Sequence, residues 1–184
     1  ETIRSWLNEF LAIFGWDVQD TEQVLQERIL RGAQHQRLIE INSPHRKPDY
    51  ILLNGTNIKS FLDAKSLDVD IFADDDVAYQ IRSYGWSAQS PCAFVSNFEQ
   101  LVIYDTRFVP QHGQPANLGV KQFLVDEYIE NFDVIFEHLW RENICTNHLE
   151  DLYSVNEVEG HNRVDSQFMN MLSSFRRVLA SNLY

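Results

Sequence analysis

The chain has 184 residues, of which 44% are hydrophobic and twelve are Phe, a composition that favours one folded domain and excludes a disordered chain. A net charge of -12 argues against tight DNA binding through charge alone, which requires Lys and Arg to neutralise phosphates. Cys92 and Cys145 are too few for a disulfide scaffold, and no apolar run has the length of a membrane span. We therefore expect a cytoplasmic protein without membrane association.

Three elements are predicted before the first sequence motif. Apolar residues at helical spacing predict a helix over 3–14. A cap at Asp20 or Thr21, with Gly32 beyond the end, predicts a second helix over 21–30. Residues 38–41 have the composition of a short strand, and a polar, basic loop follows at 43–47.

A β-hairpin is predicted next, from strands over 49–53 and 58–64 joined through Asn54-Gly55. A strict two-residue turn after Leu53 would place Asp49 opposite Ser60, and the side chain of Asp63 would then point to the other face. The two carboxylates meet only if the loop has an odd length or one strand bulges. We therefore predict a longer turn or a bulge near them.

The remaining predicted elements combine helices and short strands. In chain order they are a helix over 77–88 after three Asp residues, strands over 92–96 and 101–104 joined by a tight turn at 97–100, a loop over 109–119, a helix over 126–139 that buries Ile129, Phe132, Ile135, Phe136 and Leu139, and a helix over 164–183. This pattern predicts an α/β fold with a central mixed sheet of four to five strands flanked by helices. Residues 1–140 are expected to form the domain, and residues 141–184 a linker and a C-terminal helix.

Two acidic residues on neighbouring strands indicate a site for a hard divalent cation. Asp49 and Asp63 could bind Mg²⁺, which takes few protein ligands and keeps water and substrate oxygens. Lys65 projects from the same face as Asp63 and could stabilise charge on a reacting phosphate. The alternative is a solvated hairpin with ordinary surface charges. Against that alternative, Asp63 lies within an apolar strand, where an unpaired carboxylate is costly.

The following predicted helix carries a second pattern, Gln80 and Tyr84, which share one face because they are four residues apart. Gln80 could contact Lys65, a metal-bound water or a DNA backbone. The alternative is a helix in which Tyr84 belongs to the core and Gln80 makes a local contact.

Taken together, these segments resemble a known enzyme family. Pro48-Asp49, Asp63-Ala64-Lys65 and Gln80-x-x-x-Tyr84 resemble the motifs of the PD-(D/E)xK nucleases with an added QxxxY motif. More narrowly, residues 47 to 107 resemble the N-terminal nuclease domain of type IIG restriction-modification enzymes, which is related to the nuclease domain of type I restriction R subunits. The segments that carry the similarity are KPDYILLNG, FLDAK, AYQIRSYGWSA and SNFEQLVIYDTR.

The resemblance implies a restriction-endonuclease-like core and a role for each motif residue. It implies Asp49 and Asp63 as Mg²⁺ ligands together with the Ala64 carbonyl, Lys65 as the catalytic lysine, and Gln80 as the QxxxY residue. Mn²⁺ is expected to substitute for Mg²⁺. Asp63 departs from the commoner Glu, and its shorter side chain changes the reach of the ligand.

The family often adds an upstream glutamate to the site. Glu27 is the candidate for this catalytic position, while Glu9, Glu22 and Glu40 remain alternatives. An exposed helix charge is an equally good interpretation of Glu27.

The resemblance also implies partners. The substrate would be double-stranded DNA, and methyltransferase and target-recognition domains would belong to the same polypeptide, with S-adenosylmethionine bound only by the methyltransferase. Because a double-strand cut generally needs two active sites, a transient homodimer is expected. Two other functions remain open: a catalytically inactive nuclease-fold docking module within a larger DNA-processing protein, favoured by the acidic charge, and a nuclease that acts in repair or on RNA.

Overall fold

A computed structural model describes residues 2–154 of the chain. Its elements, in order, are α1 (Thr2–Ile13), β1 (Val24–Gln26), α2 (Gly32–Glu40), β2 (Tyr50–Asn54), β3 (Asn57–Ala64), α3 (Asp75–Ala88), β4 (Cys92–Ser96), β5 (Gln100–Asp105), β6 (Val120–Leu124), a single 3-10 turn (Val125–Glu127), α4 (Phe132–Leu139) and α5 (Arg141–Cys145). The predicted helix over 164–183 lies outside the described residues. The predicted boundary at residue 140, between the domain and the linker, stays a prediction.

The strands form one mixed sheet in the order β1-β2-β3-β4-β5-β6. All neighbours are antiparallel except β3 and β4, which run parallel. A parallel pair needs a crossover, and α3 supplies it between the two strands. The predicted α/β class and mixed sheet are confirmed. The predicted number of four to five strands was too low because a short strand is added at each edge.

Each face of the sheet is covered by helices, since the alternating side chains of the central strands are apolar on both sides. On one face, Phe61 and Val95 pack beneath Ile81 and Tyr84 of α3 in a continuous core. On the other face, α1 contacts the sheet. The hydroxyl of Tyr50 on β2 donates to Oδ1 of Asn8 on α1 at 3.0 Å. The helix that bears Gln80 therefore lies on the same face as Phe61 and, two residues on, Asp63.

Two of the three elements predicted before the hairpin were wrong, whereas the predicted helix over 3–14 is found as α1. Val24–Gln26 is a strand rather than part of a helix, because pairing with the free edge of β2 satisfies its backbone groups. Asp20 accepts from Glu22 N within a turn and caps no helix. Residues 38–40 belong to α2 rather than to a strand, and Leu38 on that helix is buried in the core beneath α3.

The predicted helix over 126–139 was also partly wrong, because the α-helix begins only at Phe132. Ile135 and Leu139 are buried as expected, and Phe136 is half-buried. Ile129 is 90% exposed and Phe132 44% exposed, contrary to prediction, because the chain forms a 3-10 turn and then a loop before the helix.

Cys92 is a buried thiol and Cys145 a half-buried one. Among the described residues, no helix combines the length and the apolar character that crossing a bilayer requires.

Candidate active site

A β-bulge in the β2–β3 hairpin brings Asp49 and Asp63 to one face of the sheet. Asn54 pairs with Asn57 across a two-residue turn, but Leu53 pairs with Ile58 and Leu52 with Ser60, which leaves Lys59 as an extra residue. Tyr50 then pairs with Leu62, so Asp49 and Asp63 are neighbours. Without the extra residue the two carboxylates would face opposite sides. The predicted bulge is confirmed, and the turn itself lies at Gly55-Thr56, one residue later than predicted.

Asp63 is a buried carboxylate that accepts two hydrogen bonds. It is 2% exposed, its Oδ1 accepts from Asp49 N at 3.0 Å, and its Oδ2 accepts from Lys65 Nζ at 2.6 Å. Burial raises the pKa of the Asp63 carboxyl; the Lys65 charge opposes this, and the nearby Asp49 charge adds to it. Additional positive charge close to Asp63 would therefore stabilise its ionised form.

Asp49 is held by the main chain of β3 and by a residue of α1. Its Oδ2 accepts from Ala64 N at 2.8 Å, and its Oδ1 accepts from the Arg4 guanidinium at 3.1 Å. The same Arg4 nitrogen contacts Glu27 Oε1 at 2.6 Å, so one guanidinium bridges two carboxylates. Hydrogen bonding to Glu27 and the charges of Asp49 and Glu27 raise the pKa of Arg4.

Lys65 is positioned from a second side by α3. Its Nζ donates to Gln80 Oε1 at 2.8 Å, and Gln80 Nε2 donates to the Tyr84 hydroxyl at 3.2 Å. Burial raises the pKa of Tyr84 above its ordinary value, so its hydroxyl stays neutral and keeps the Gln80 amide oriented. The structure thus joins Asp63, Lys65, Gln80 and Tyr84 in one chain of hydrogen bonds.

Glu27 lies beside the site and reaches it through Arg4. Its main-chain N donates to Asp49 O at 2.9 Å, and its side chain pairs with Arg4 and, at 3.7 Å, with Lys47. Hydrogen bonding to Arg4 lowers the pKa of Glu27. The alternatives Glu9, Glu22 and Glu40 are all exposed. Of the four, Glu27 is the one that shares a cation with Asp49.

The oxygen atoms at this site are ligands that suit a hard divalent cation. Asp49, Ala64 and Lys65 line an open cavity of about 470 Å³, together with residues of α1 and the loop after β3. Two carboxylates and a main-chain carbonyl leave coordination positions for water and phosphate oxygens, as Mg²⁺ prefers. Within residues 2–154, no three His, Cys, Asp or Glu side chains gather as a ready-made metal cluster. A metal at Asp49 and Asp63 would therefore depend on few protein ligands.

Comparison with known proteins gives one curated relative. No family model matches the chain. Over 187 aligned residues it is 29% identical to the type II restriction enzyme and methyltransferase RM.Eco57I of Escherichia coli. This alignment covers 96% of the chain. The chain is a restriction-enzyme homologue. It spans 18% of the length of that relative.

A solved structure also resembles this restriction-enzyme homologue. It is the type IIG restriction endonuclease BpuSI, with 14% sequence identity and a TM-score of 0.37. The superposition covers 82% of this chain and 16% of that one.

One residue of the site was missed by sequence reasoning. Arg4 precedes Asp49 by 45 positions and belongs to none of the motifs identified in the sequence. Its one signal was a lone arginine on a predicted helix whose other faces are largely apolar. Spacing could not reveal its partners, because they lie on a different element and are brought near only by the packing of α1 on the sheet.

Proposed function

We propose that the chain is a Mg²⁺-dependent endodeoxyribonuclease domain of a restriction-modification enzyme, which hydrolyses phosphodiester bonds in double-stranded DNA. The observation that carries the proposal is the hydrogen-bonded convergence of Asp49, Asp63, Lys65 and Gln80. Two members of this group, Asp49 and Lys65, line an open cavity. The named activity of the curated relative, a type II restriction enzyme and methyltransferase, supports it.

The metal would be held by Asp49, Asp63 and the Ala64 carbonyl. When bound, Mg²⁺ supplies a water of lowered pKa and polarises the scissile phosphate. The raised pKa of the Asp63 carboxyl supports this assignment, because a divalent cation offsets the cost of a buried negative charge. Glu27 is proposed as an additional acidic residue at the margin of the site.

Lys65 would act directly on the reacting phosphate. Its ammonium carries three donors, of which the structure uses one on Asp63 and one on Gln80. The third is free to meet a phosphate oxygen as negative charge develops on it. Gln80 acts as a positioning residue, since its amide fixes the ammonium and is itself held by Tyr84.

The test is plasmid cleavage by the complete enzyme, comparing wild type with Lys65→Ala. We expect the variant to lose cleavage by a factor of about 10²–10³, as when one donor to a transition-state charge is removed. Lys59→Ala is the matched control, because Lys59 is a lysine on the same strand, at the bulge. This variant should cleave as wild type does. EDTA should abolish cleavage by all three proteins. Wild-type cleavage by Lys65→Ala would overturn the proposal.

A non-catalytic docking module is the second candidate, and one observation favours it. Each of the four carboxylate oxygens of Asp49 and Asp63 already accepts a hydrogen bond from an N–H donor among the described residues. All four oxygens are therefore satisfied without a cation. Thermal unfolding with Mn²⁺ separates the two: a nuclease is stabilised by the ion, and Asp63→Asn removes that effect, whereas a docking module shows no shift.

The wider assembly is part of the same proposal. Methyltransferase and target-recognition domains would accompany this chain in one cytoplasmic polypeptide, and S-adenosylmethionine would bind to the methyltransferase alone. A double-strand cut would bring two copies together transiently. Cleavage of plasmids with one or two target sites tests this, because coupled cutting requires the second site.

A further inference from the structure

One stretch of this acidic chain, directly before the candidate active site in sequence, is rich in basic residues and poor in acidic ones. Residues 28–47 contain five Lys or Arg and a single acidic residue, Glu40, whereas the whole chain has 15 Lys or Arg against 27 Asp or Glu. Four of these five cations are exposed: Arg28, Arg31, Arg46 and Lys47. We call these four residues the basic strip.

Backbone pairing brings the two halves of the basic strip together. Glu27 N donates to Asp49 O at 2.9 Å, and Leu30 N donates to Arg46 O at 2.8 Å. These bonds continue the antiparallel register of β1 and β2 beyond the strands themselves. Arg28 lies between them and Arg31 directly follows, so both run alongside Arg46 and Lys47. Asp49 is two residues beyond Lys47, so the strip leads into the site.

Three members of the strip have no counter-ion among the described residues. The side chains of Arg28, Arg31 and Arg46 make no hydrogen bond, ion pair or ring contact with the rest of residues 2–154. Lys47 contacts Glu27 at 3.7 Å. In a chain with so many carboxylates, arginines without a partner are placed where an external anion can reach them.

The segment that follows Lys65 along the chain has the opposite charge. Residues 66–76, which we call the acidic segment, contain five Asp and no Lys or Arg. The segment begins directly after Lys65, and Ser66 and Leu67 line the same cavity as Asp49. A phosphate backbone is therefore attracted by the strip that leads into Asp49 and repelled by the segment that follows Lys65.

We propose that the basic strip binds the phosphate backbone of duplex DNA and sets the side from which the DNA enters the site. This inference rests on the proposed function and adds a surface and a direction of approach to it. Contacts to phosphate fix register and orientation without reading sequence. They also resolve how a chain of net charge -12 can engage DNA, because the charge that matters is local to the strip.

The experiment measures how binding of a short fluorescent DNA duplex by the full chain depends on salt, in EDTA so that no cleavage occurs. Each phosphate contact contributes about 0.9 to the slope of log affinity against log salt. We expect the slope of the Arg28→Gln/Arg31→Gln/Arg46→Gln variant to be smaller than that of wild type by about 3. Arg46→Gln alone should lower the slope by about 0.9.

Lys121→Gln is the matched control for the single variant. Lys121 is an exposed residue on β6, at the opposite edge of the sheet from β1, and its loss changes the net charge equally. The slope of this variant should equal that of wild type. An equal effect of Arg46→Gln and Lys121→Gln would overturn the proposal, as would a wild-type slope in the triple variant or no salt-dependent binding by wild type. Equal binding of single-stranded RNA by the strip would overturn the assignment to duplex DNA.

Failure of this inference is distinguishable from failure of the proposed function. If the triple variant binds and cleaves as wild type while Lys65→Ala is inactive, the strip is wrong and the nuclease stands. If Lys65→Ala cleaves normally while the triple variant loses its salt-dependent binding, the DNA surface stands without the catalytic site. Thermal unfolding of the triple variant should match that of wild type, since exposed residues without partners contribute little to stability.

Discussion

The basic strip and the acidic segment flank the same two carboxylates and differ in what their charges do. In the acidic segment, Asp74 accepts from Asp76 N and Val77 N at the start of α3, and Asp75 accepts from Ala116 N at 2.7 Å. Asp70 accepts from Gln100 Nε2. In the basic strip, Arg28 and Arg46 have no such partner within the described residues.

This difference separates charges that build the fold from charges that are free to bind. The aspartates hold the beginning of α3, the helix that supplies Gln80 to the site, so their removal should weaken the structure. The arginines support no element, so their removal should weaken only an interaction with an external anion. Stability and salt-dependent DNA binding therefore report on the two flanks separately.

The largest effect on stability is expected where α3 meets the sheet. A Cβ on Gly85 would overlap the side chain of Thr106, which is fully buried and donates to Ser90 O. Overpacking of this kind costs about 1–3 kcal/mol. Gly85→Ala should therefore unfold at lower urea concentration and lose cleavage as Gln80 shifts, while the salt slope of DNA binding stays that of wild type. A wild-type urea midpoint for Gly85→Ala would show that α3 does not pack against Thr106 as described.

A smaller effect is expected from the helix cap in the acidic segment. Asp74→Ala removes the acceptor for two N–H groups and should lower the free energy of unfolding by about 1 kcal/mol. Thermal unfolding measures the loss, and the basic-strip triple variant is the control that should show none. If Asp74→Ala instead changed DNA binding without changing stability, the distinction between the two flanks would fail.

The smallest effect concerns His45, which adjoins the basic strip and, unlike Arg46, is half-buried. Burial and, secondarily, the Lys65 charge lower the pKa of His45. The unfolded chain binds this proton near pH ~6.5, and the folded chain binds it only at lower pH. Stability from neutral His45 is therefore complete above about pH 6.5 and is lost as the pH falls toward the folded pKa.

The measurement is urea unfolding of wild type and His45→Gln at pH values on either side of that window. We expect wild type to lose more stability on acidification than the variant, by a small margin because the ring is partly exposed. Equal losses in the two proteins would show that His45 titrates in the folded state as it does in the unfolded chain.

Much of the central architecture was predictable from the sequence. Helical spacing identified α1 and α3, and apolar runs bounded by turn residues identified the strands of the hairpin and the β4–β5 pair. Side-chain alternation even required an irregularity between Asp49 and Asp63, because period two leaves no other way for them to share a face. These features were readable because each depends on contacts between residues close in sequence.

The N-terminal region could not be predicted in the same way. Residues 24–26 have no strand alternation of their own and became a strand because β2 offered an unpaired edge. Exposure of Ile129 likewise follows from the point at which α4 begins rather than from its spacing. In both places a tertiary contact outweighed a weak local preference.

The sequence by itself determined which residues are the candidates for the proposed chemistry: Asp49, Asp63, Lys65 and Gln80 stand in recognisable motifs on elements whose type follows from local pattern. Only the tertiary structure decided how these residues are partnered. The packing of α1 brought Arg4 to Asp49, and backbone pairing beyond β1 set the basic strip beside the site. Spacing encodes neighbours along one element, whereas these partners meet across elements that are distant in sequence, where burial and backbone hydrogen bonding decide the arrangement.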